Sequence, residues 1–386
     1  MSDDHEVEMQ IDQMLVEVAD AVGLDDYGHP SFRDGLEHLL VSTRIDSHLT
    51  PLGNAVLDGT CRAALTNRLR VTDWCRRHPD VEQQPITAPI FVLGMPRTGT
   101  TALSHLLAAD RNNRSLLGWE ASESVPPPTR ETYENDPRFD RARTASSGVE
   151  LLNPGFKAIH YDPPDMPIED SVLLAQHFQS PTYSVLFNIK HFDEWMIAAD
   201  ATHTYRYHQQ VLQVLQSHYP GRWHLKTPAH CWFVDALIAA YPDARFVMTH
   251  RDPVRVTGSV CSLARSLSGT FTDVDHTASI AARWPEMIAS MLDRVDEFRT
   301  LNGDDRFYDM RYSDLVSDPV GTVHSLYRHF DMTWDDETEQ SLRAHASTHR
   351  QNRFGEHTYT LEEFGLQADA IRARLSRYLD RYGDYV

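Results

Sequence analysis

The chain has 386 residues, enough to bury a full core as one large domain or two, and its 41% hydrophobic and 24% charged residues are ordinary for a soluble globular protein. A formal net charge of −20 argues against a general nucleic-acid binder or a protein that lies on an anionic membrane. The four cysteines, Cys61, Cys75, Cys231 and Cys261, form neither a C-x-x-C pair nor a disulfide framework, so a reduced cytoplasm is expected. The acidic start, Met1-Ser2-Asp3-Asp4-His5-Glu6, lacks the basic and apolar regions of a signal peptide, and no run approaches the roughly 20 apolar residues of a membrane span.

The predicted elements begin with a helical block over residues 1–88. Ile11, Met14, Leu15, Val18 and Val22 recur with a helical period. Leu36, Leu39 and Leu40 mark a second helix, and Ala64, Leu65, Leu69 and Val71 a third, from about Leu52 to Cys75. Ile90–Leu93, bounded by Pro89 and Gly94, reads as a short buried strand. Met95-Pro96-Arg97-Thr98-Gly99-Thr100-Thr101 then forms a polar loop, and Leu103, Leu106 and Leu107 begin a helical stripe. Strand, loop and helix N-terminus together make an anion site, because backbone N–H groups converge there. Gly94 and Gly99 have the spacing of the nucleotide phosphate loop G-x-x-x-x-G-K-[ST]. Thr100, however, stands in the lysine's place, and a basic residue, Arg97, sits inside the loop.

Residues 121–221 are mixed, aromatic and rich in histidine, with breaks at Pro126-Pro127-Pro128 and at Tyr161-Asp162-Pro163-Pro164-Asp165. Leu173, Leu174, His177 and Phe178 fit a helix, as do Val211, Leu212, Val214 and Leu215. The region is expected to be mostly helical and to wall an acceptor pocket, with Tyr161, Phe178, Tyr183, Phe187, Phe192 and Trp195 as its aromatic residues. Strands follow at Trp223–Lys226, Arg245–Thr249 and Arg306–Met310, separated by helices through Phe233, Leu237 and Ala240 and through Val256, Val260 and Leu263. A further helix lies near Val323–Phe330, and Thr360-Leu361-Glu362-Glu363 reads as a capping box that starts the last one. Strands alternating with helices predict an α/β fold on a mainly parallel sheet.

Such sheets bind ligands beyond the carboxyl ends of their strands. The loop around Arg97 falls there, as do Lys226 in Leu225-Lys226-Thr227-Pro228-Ala229-His230, Arg251 with Ser259 eight positions later, and Tyr312 before Ser313-Asp314-Leu315. In this order the motifs resemble those of the sulfotransferases that use 3′-phosphoadenosine-5′-phosphosulfate (PAPS), over residues 90 to about 357. The resemblance implies one domain, 1–386, with a P-loop NTPase-like three-layer fold. Residues 1–88 would be helical cover, 89–120 and 222–357 the nucleotide-binding core, and 121–221 the acceptor side.

Residue roles follow from the same resemblance. Arg97, Thr98, Gly99, Thr100 and Thr101 would hold the 5′-phosphosulfate, Arg251 and Ser259 the 3′-phosphate, and Tyr312 the adenine side. Arg353 and Gly355 would match the family's Arg-Lys-Gly segment, whose middle lysine is missing here. Lys226 would stabilise the leaving nucleotide, PAP. Pro228 stands where cytosolic members keep a histidine base, so the base is expected to be Glu120, with His230 the other candidate. The reaction implied is sulfuryl transfer to the hydroxyl of a small-molecule or lipid acceptor by in-line displacement, with no metal, no nucleic-acid partner and no stable membrane insertion; the oligomeric state stays open. Two rival readings remain at this stage. A P-loop kinase or NTPase wants a lysine at Thr100 and an aspartate where Thr249-His250-Arg251 stands, and a non-catalytic nucleotide-binding module wants neither Lys226 nor Glu120.

Overall fold

A computed structural model describes residues 3–152, 164–348 and 359–386. Its centre is a five-stranded sheet of β1 (Ile90–Gly94), β2 (Asn113–Ser115), β3 (Arg222–Lys226), β4 (Arg245–His250) and β5 (Phe307–Arg311), in the order β2-β3-β1-β4-β5 with every pairing parallel. All five residues of β1 are buried, as an apolar central strand with cover on both faces must be. Successive side chains of β1 serve different cores. Phe91 and Leu93 pack into the large cluster shared with the N-terminal and inserted helices. Ile90 and Val92 face a smaller cluster with Leu103, Leu106 and Leu107 of the helix Thr100–Leu107 and Val323, Leu326 and Tyr327 of the helix Pro319–His329. Helix, sheet and helix thus form three layers.

The N-terminal block folds as the helices Asp3–Val22, Phe32–Ser42 and Pro51–Arg77, and the inserted region carries Ser171–Ala175, Pro181–Phe187, Lys190–Ala198 and Thr202–Gln216. Several sequence expectations need correction. β2 has no apolar run and was not expected. The helix over Leu173 and Leu174 ends at Ala175, because Phe178 adopts a left-handed φ of 58°. The capping box at Thr360 forms, with Thr360 and Glu363 exchanging backbone-to-side-chain bonds of 3.3 Å, but it caps one 3₁₀ turn (Glu362–Phe364). Gly365, at φ 64°, stops that turn, and the next helix begins at Ala368. Phe178, Tyr183, Phe187 and Phe192 have no exposed surface and belong to the core, Trp195 packs against it, and Tyr161 lies outside the described residues.

β1 lies between one strand pair that runs out to β2 and another that runs out to β5. The chain therefore leaves the strand ends in opposite directions around β1, which opens a crevice where the loop after β1 stands.

Candidate active site

The loop between β1 and the helix Thr100–Leu107 is shaped by three left-handed residues, Gly94 (φ 124°), Arg97 (φ 65°) and Gly99 (φ 87°). A Cβ on Gly94 would stand 2.6 Å from the carbonyl oxygen of Thr249, and one on Gly99 would stand 2.9 Å from the Tyr312 ring. Both glycines are required by close approach as well as by conformation. Arginine at φ 65° is uncommon, and its side chain reaches the helix Pro253–Ser268, which follows β4: Nε donates to Ser259 Oγ at 3.2 Å. Arg251, just beyond β4, donates from Nη1 to the Arg97 carbonyl at 2.8 Å, and its guanidinium lies 4.3 Å from the centre of the Tyr312 ring. Thr98 Oγ1 donates to the Met95 carbonyl at 2.7 Å, which closes the loop on itself.

The chemistry of this cluster is cationic. Burial lowers Arg97 from the ordinary arginine value, and the neighbouring Arg251 charge lowers it further. Two guanidinium groups crowded around a turn of backbone N–H groups form a site for an anion with more than one charged group. Ser259, on the helix Pro253–Ser268, supplies a hydroxyl there; that helix is capped by Asp252, whose side chain accepts from Val254 N.

Lys226 ends β3 beside the same loop. It is fully buried, and Nζ donates at 3.1 Å to Thr101 Oγ1 and at 3.1 Å to Glu169 Oε1. Thr227 Oγ1 donates to the other oxygen, Glu169 Oε2, at 3.3 Å. Glu169 is 28% exposed, so its carboxylate meets both the lysine and solvent. Sequence reasoning missed Glu169. The only local signal was the acidic pair Glu169-Asp170 ahead of the helix Ser171–Ala175, and its closeness to Lys226 arises in the tertiary fold, where Asp170 N donates to the Lys226 carbonyl at 3.3 Å.

The two expected bases are both fully buried. Glu120 has no exposed surface. Its Oε1 accepts from Arg114 Nη2 at 2.6 Å and its Oε2 from Leu117 N at 3.2 Å. Arg114 is boxed by the Trp223 ring at 4.5 Å, Tyr219 at 5.0 Å and Tyr133 at 5.3 Å. Burial raises Glu120 above the usual carboxylate value, with Arg114 opposing the rise. With no exposed surface and both oxygens hydrogen-bonded, this carboxylate is the ion-pair partner of Arg114. His230 is likewise fully buried, between the Tyr205 hydroxyl at 2.8 Å and Asp170 Oδ2 at 2.9 Å. Arg97, Thr98, Gly99, Thr101, Lys226, Arg251, Ser259 and Tyr312 are brought together, with Thr100 opening the helix beside them; Arg353 and Gly355 lie outside the described residues.

The model of a sulfotransferase family matches residues 89–336. The chain is 32% identical to sulfotransferase STF9 from Mycobacterium avium, with a TM-score of 0.86 over 96% of each chain. It is also 32% identical to sulfotransferase STF1 from Mycobacterium tuberculosis, with a TM-score of 0.85 over 95% of this chain and 98% of that one. A further relative, the omega-hydroxy-beta-dihydromenaquinone-9 sulfotransferase Stf3 of Mycobacterium bovis, is 25% identical over 319 residues, covering 76% of this chain and 75% of the relative. The architecture is the P-loop-like α/β fold of sulfotransferases. This chain belongs to the sulfotransferase family and is an enzyme of sulfuryl transfer.

Proposed function

We propose that the sulfate donor is PAPS, that the acceptor is the hydroxyl of an apolar small-molecule or lipid alcohol, and that Glu169, rather than Glu120, is the general base. The observation that carries this reading is the convergence of Arg97, Arg251 and Ser259 on one side of the loop and of Lys226 with Glu169 on the other. The residues fit a donor with two separated anionic groups. The left-handed loop offers N–H groups and Arg97 to the 5′ end, Arg251 and Ser259 stand together for a 3′-phosphate, and Tyr312 flanks both. Bound there, PAPS supplies an activated sulfuryl group on a phosphate leaving group.

The remaining work falls to the chain. Lys226 and Arg97 set positive charge where negative charge grows during displacement. Glu169 accepts the acceptor's proton from a position at hydrogen-bond distance from Lys226 and open to solvent. An apolar alcohol is supported by the name of the Stf3 relative, whose acceptor is a hydroxylated dihydromenaquinone. Acceptor contacts come from the 121–221 side of a single domain, since Glu169 belongs to it. A cytoplasmic enzyme accords with four free, buried cysteines; no helix among the described residues is long and apolar enough to cross a membrane.

The test is Glu169→Gln, assayed by transfer of labelled sulfuryl from PAPS into the organic-soluble fraction of a cell extract. Turnover should fall by a factor of about 10²–10⁴ with PAP affinity retained. Wild-type turnover in this variant, or a comparable loss confined to Glu120→Gln with an unchanged melting temperature, would return the base to Glu120.

A further inference from the structure

Beneath Glu169 and Lys226 lies a polar chain that the reaction does not use directly. Asp170 is fully buried, and its Oδ2 stands 2.9 Å from His208 Nε2 and 2.9 Å from His230 Nε2. The first contact is a hydrogen bond; the second, equally short, is poorly aligned for donation, and Asp170 Oδ1 has no protein partner among the described residues. Each imidazole passes the contact outward through Nδ1: His230 to the Tyr205 hydroxyl at 2.8 Å, His208 to the Tyr241 hydroxyl at 2.7 Å. The outcome is a row of five side chains, Tyr205–His230–Asp170–His208–Tyr241, all without solvent contact to within 1%. Burial pushes Asp170 up and the histidine contacts push it down further, so it stays well below the usual carboxylate range, while burial lowers His208. An ionised carboxylate thus lies in the core between two imidazoles, with no arginine or lysine paired to it among the described residues.

Holding such a charge out of water is costly, and an apolar residue in its place would pack without that cost. What the arrangement does supply is fixed direction. Asp170 is the neighbour of Glu169 in the chain, and its own N–H donates to the carbonyl of Lys226. His208 and Tyr205 belong to the helix Thr202–Gln216, and His230 follows β3 directly. We infer that the Asp170 network is a positioning device, which clamps the Glu169 backbone to the end of β3 so that the Glu169 carboxylate and Lys226 ammonium keep their 3.1 Å register. This rests on Glu169 as the base. Positioning of this kind acts on the chemical step, since small misplacements of a reacting group cost rate rather than donor affinity.

The test is a double-mutant cycle of Tyr205→Phe with Glu169→Gln, together with Asp170→Asn, on PAPS turnover with 1-dodecanol as acceptor and, without it, with water. PAP affinity and melting temperature are measured alongside. Asp170→Asn should lower kcat at least tenfold with PAP affinity within about threefold, and Tyr205→Phe should lower kcat severalfold in the wild-type background but not in Glu169→Gln. Equal effects of Tyr205→Phe in both backgrounds, or a rate loss matched by lost PAP affinity, would overturn the inference and leave a core-packing role. If Asp170→Asn does not fold, the Tyr205 cycle still decides. Full activity in Glu169→Gln would overturn the base assignment and the positioning role with it, whereas a crippled Glu169→Gln beside unaffected Asp170→Asn and Tyr205→Phe would overturn the positioning role alone.

Discussion

At the scale of the residue, Lys226 fixes one end of the site: its ammonium is buried and bonded to Thr101 in the first turn of the helix Thr100–Leu107 and to Glu169. A donor placed where charge develops is worth about 10²–10³ in rate, so Lys226→Ala should lower kcat by at least that factor while leaving PAP binding measurable by calorimetry. Unchanged kcat would remove Lys226 from the chemistry. The cations of the site were legible in the sequence because each stands at a strand end with turn chemistry around it: Arg97 between two glycines, Lys226 before Thr227-Pro228, Arg251 before Asp252-Pro253. Glu169 was not legible. Its link to Lys226 crosses more than fifty residues of chain, and no period or motif marks it. Glu120 was chosen from its distance along the chain to Arg97. Its partner, Arg114, sits on β2, a strand of three residues that no hydrophobic pattern announces.

Among the elements, the loop after β1 depends on backbone conformation as much as on side chains. Gly99 at φ 87° faces the Tyr312 ring so closely that any Cβ must displace it. Gly99→Ala adds a left-handed penalty of about 1–2 kcal/mol to that clash, and should weaken PAP binding by roughly tenfold or more in calorimetry. Wild-type affinity would mean that Tyr312 and the loop are not held as described. β1 and the middle of β4 could be read from short apolar runs, since a parallel strand buried on both faces has few polar positions. β3 (Arg222–Lys226) and β5 (Phe307–Arg311) mix polar with apolar residues and were legible from flanking breakers and the alternation with helices. The aromatic residues of the inserted helices could not be assigned so simply. Their spacing suits a pocket wall and a core equally, and packing between Pro181–Phe187, Lys190–Ala198 and the N-terminal helices placed them in the core.

Across the whole molecule, the carboxylates differ in burial: Glu169 beside Lys226 is partly exposed, and Glu120 has no exposed surface. Glu120 ties the helix Gly118–Ser122 to β2 through Arg114, whose guanidinium packs on rings from two other segments. Removing one member of a buried pair strands the other, at about 3–5 kcal/mol. Glu120→Ala should therefore lower the melting temperature by many degrees in thermal denaturation, and the folded fraction should keep its affinity for PAP. The layered fold exists to hold three strand ends, those of β1, β3 and β4, around one crevice, with cations concentrated there on a chain whose formal net charge is −20. The most direct measurement of that design is titration calorimetry of the wild type and Arg251→Ala with PAP and with AMP, which differ only in the 3′-phosphate. The wild type should bind PAP at least 10²-fold more tightly than AMP, and Arg251→Ala should bring the two affinities close together. Equal affinities for PAP and AMP in the wild type would contradict a two-anion donor site built on Arg97, Arg251 and Ser259.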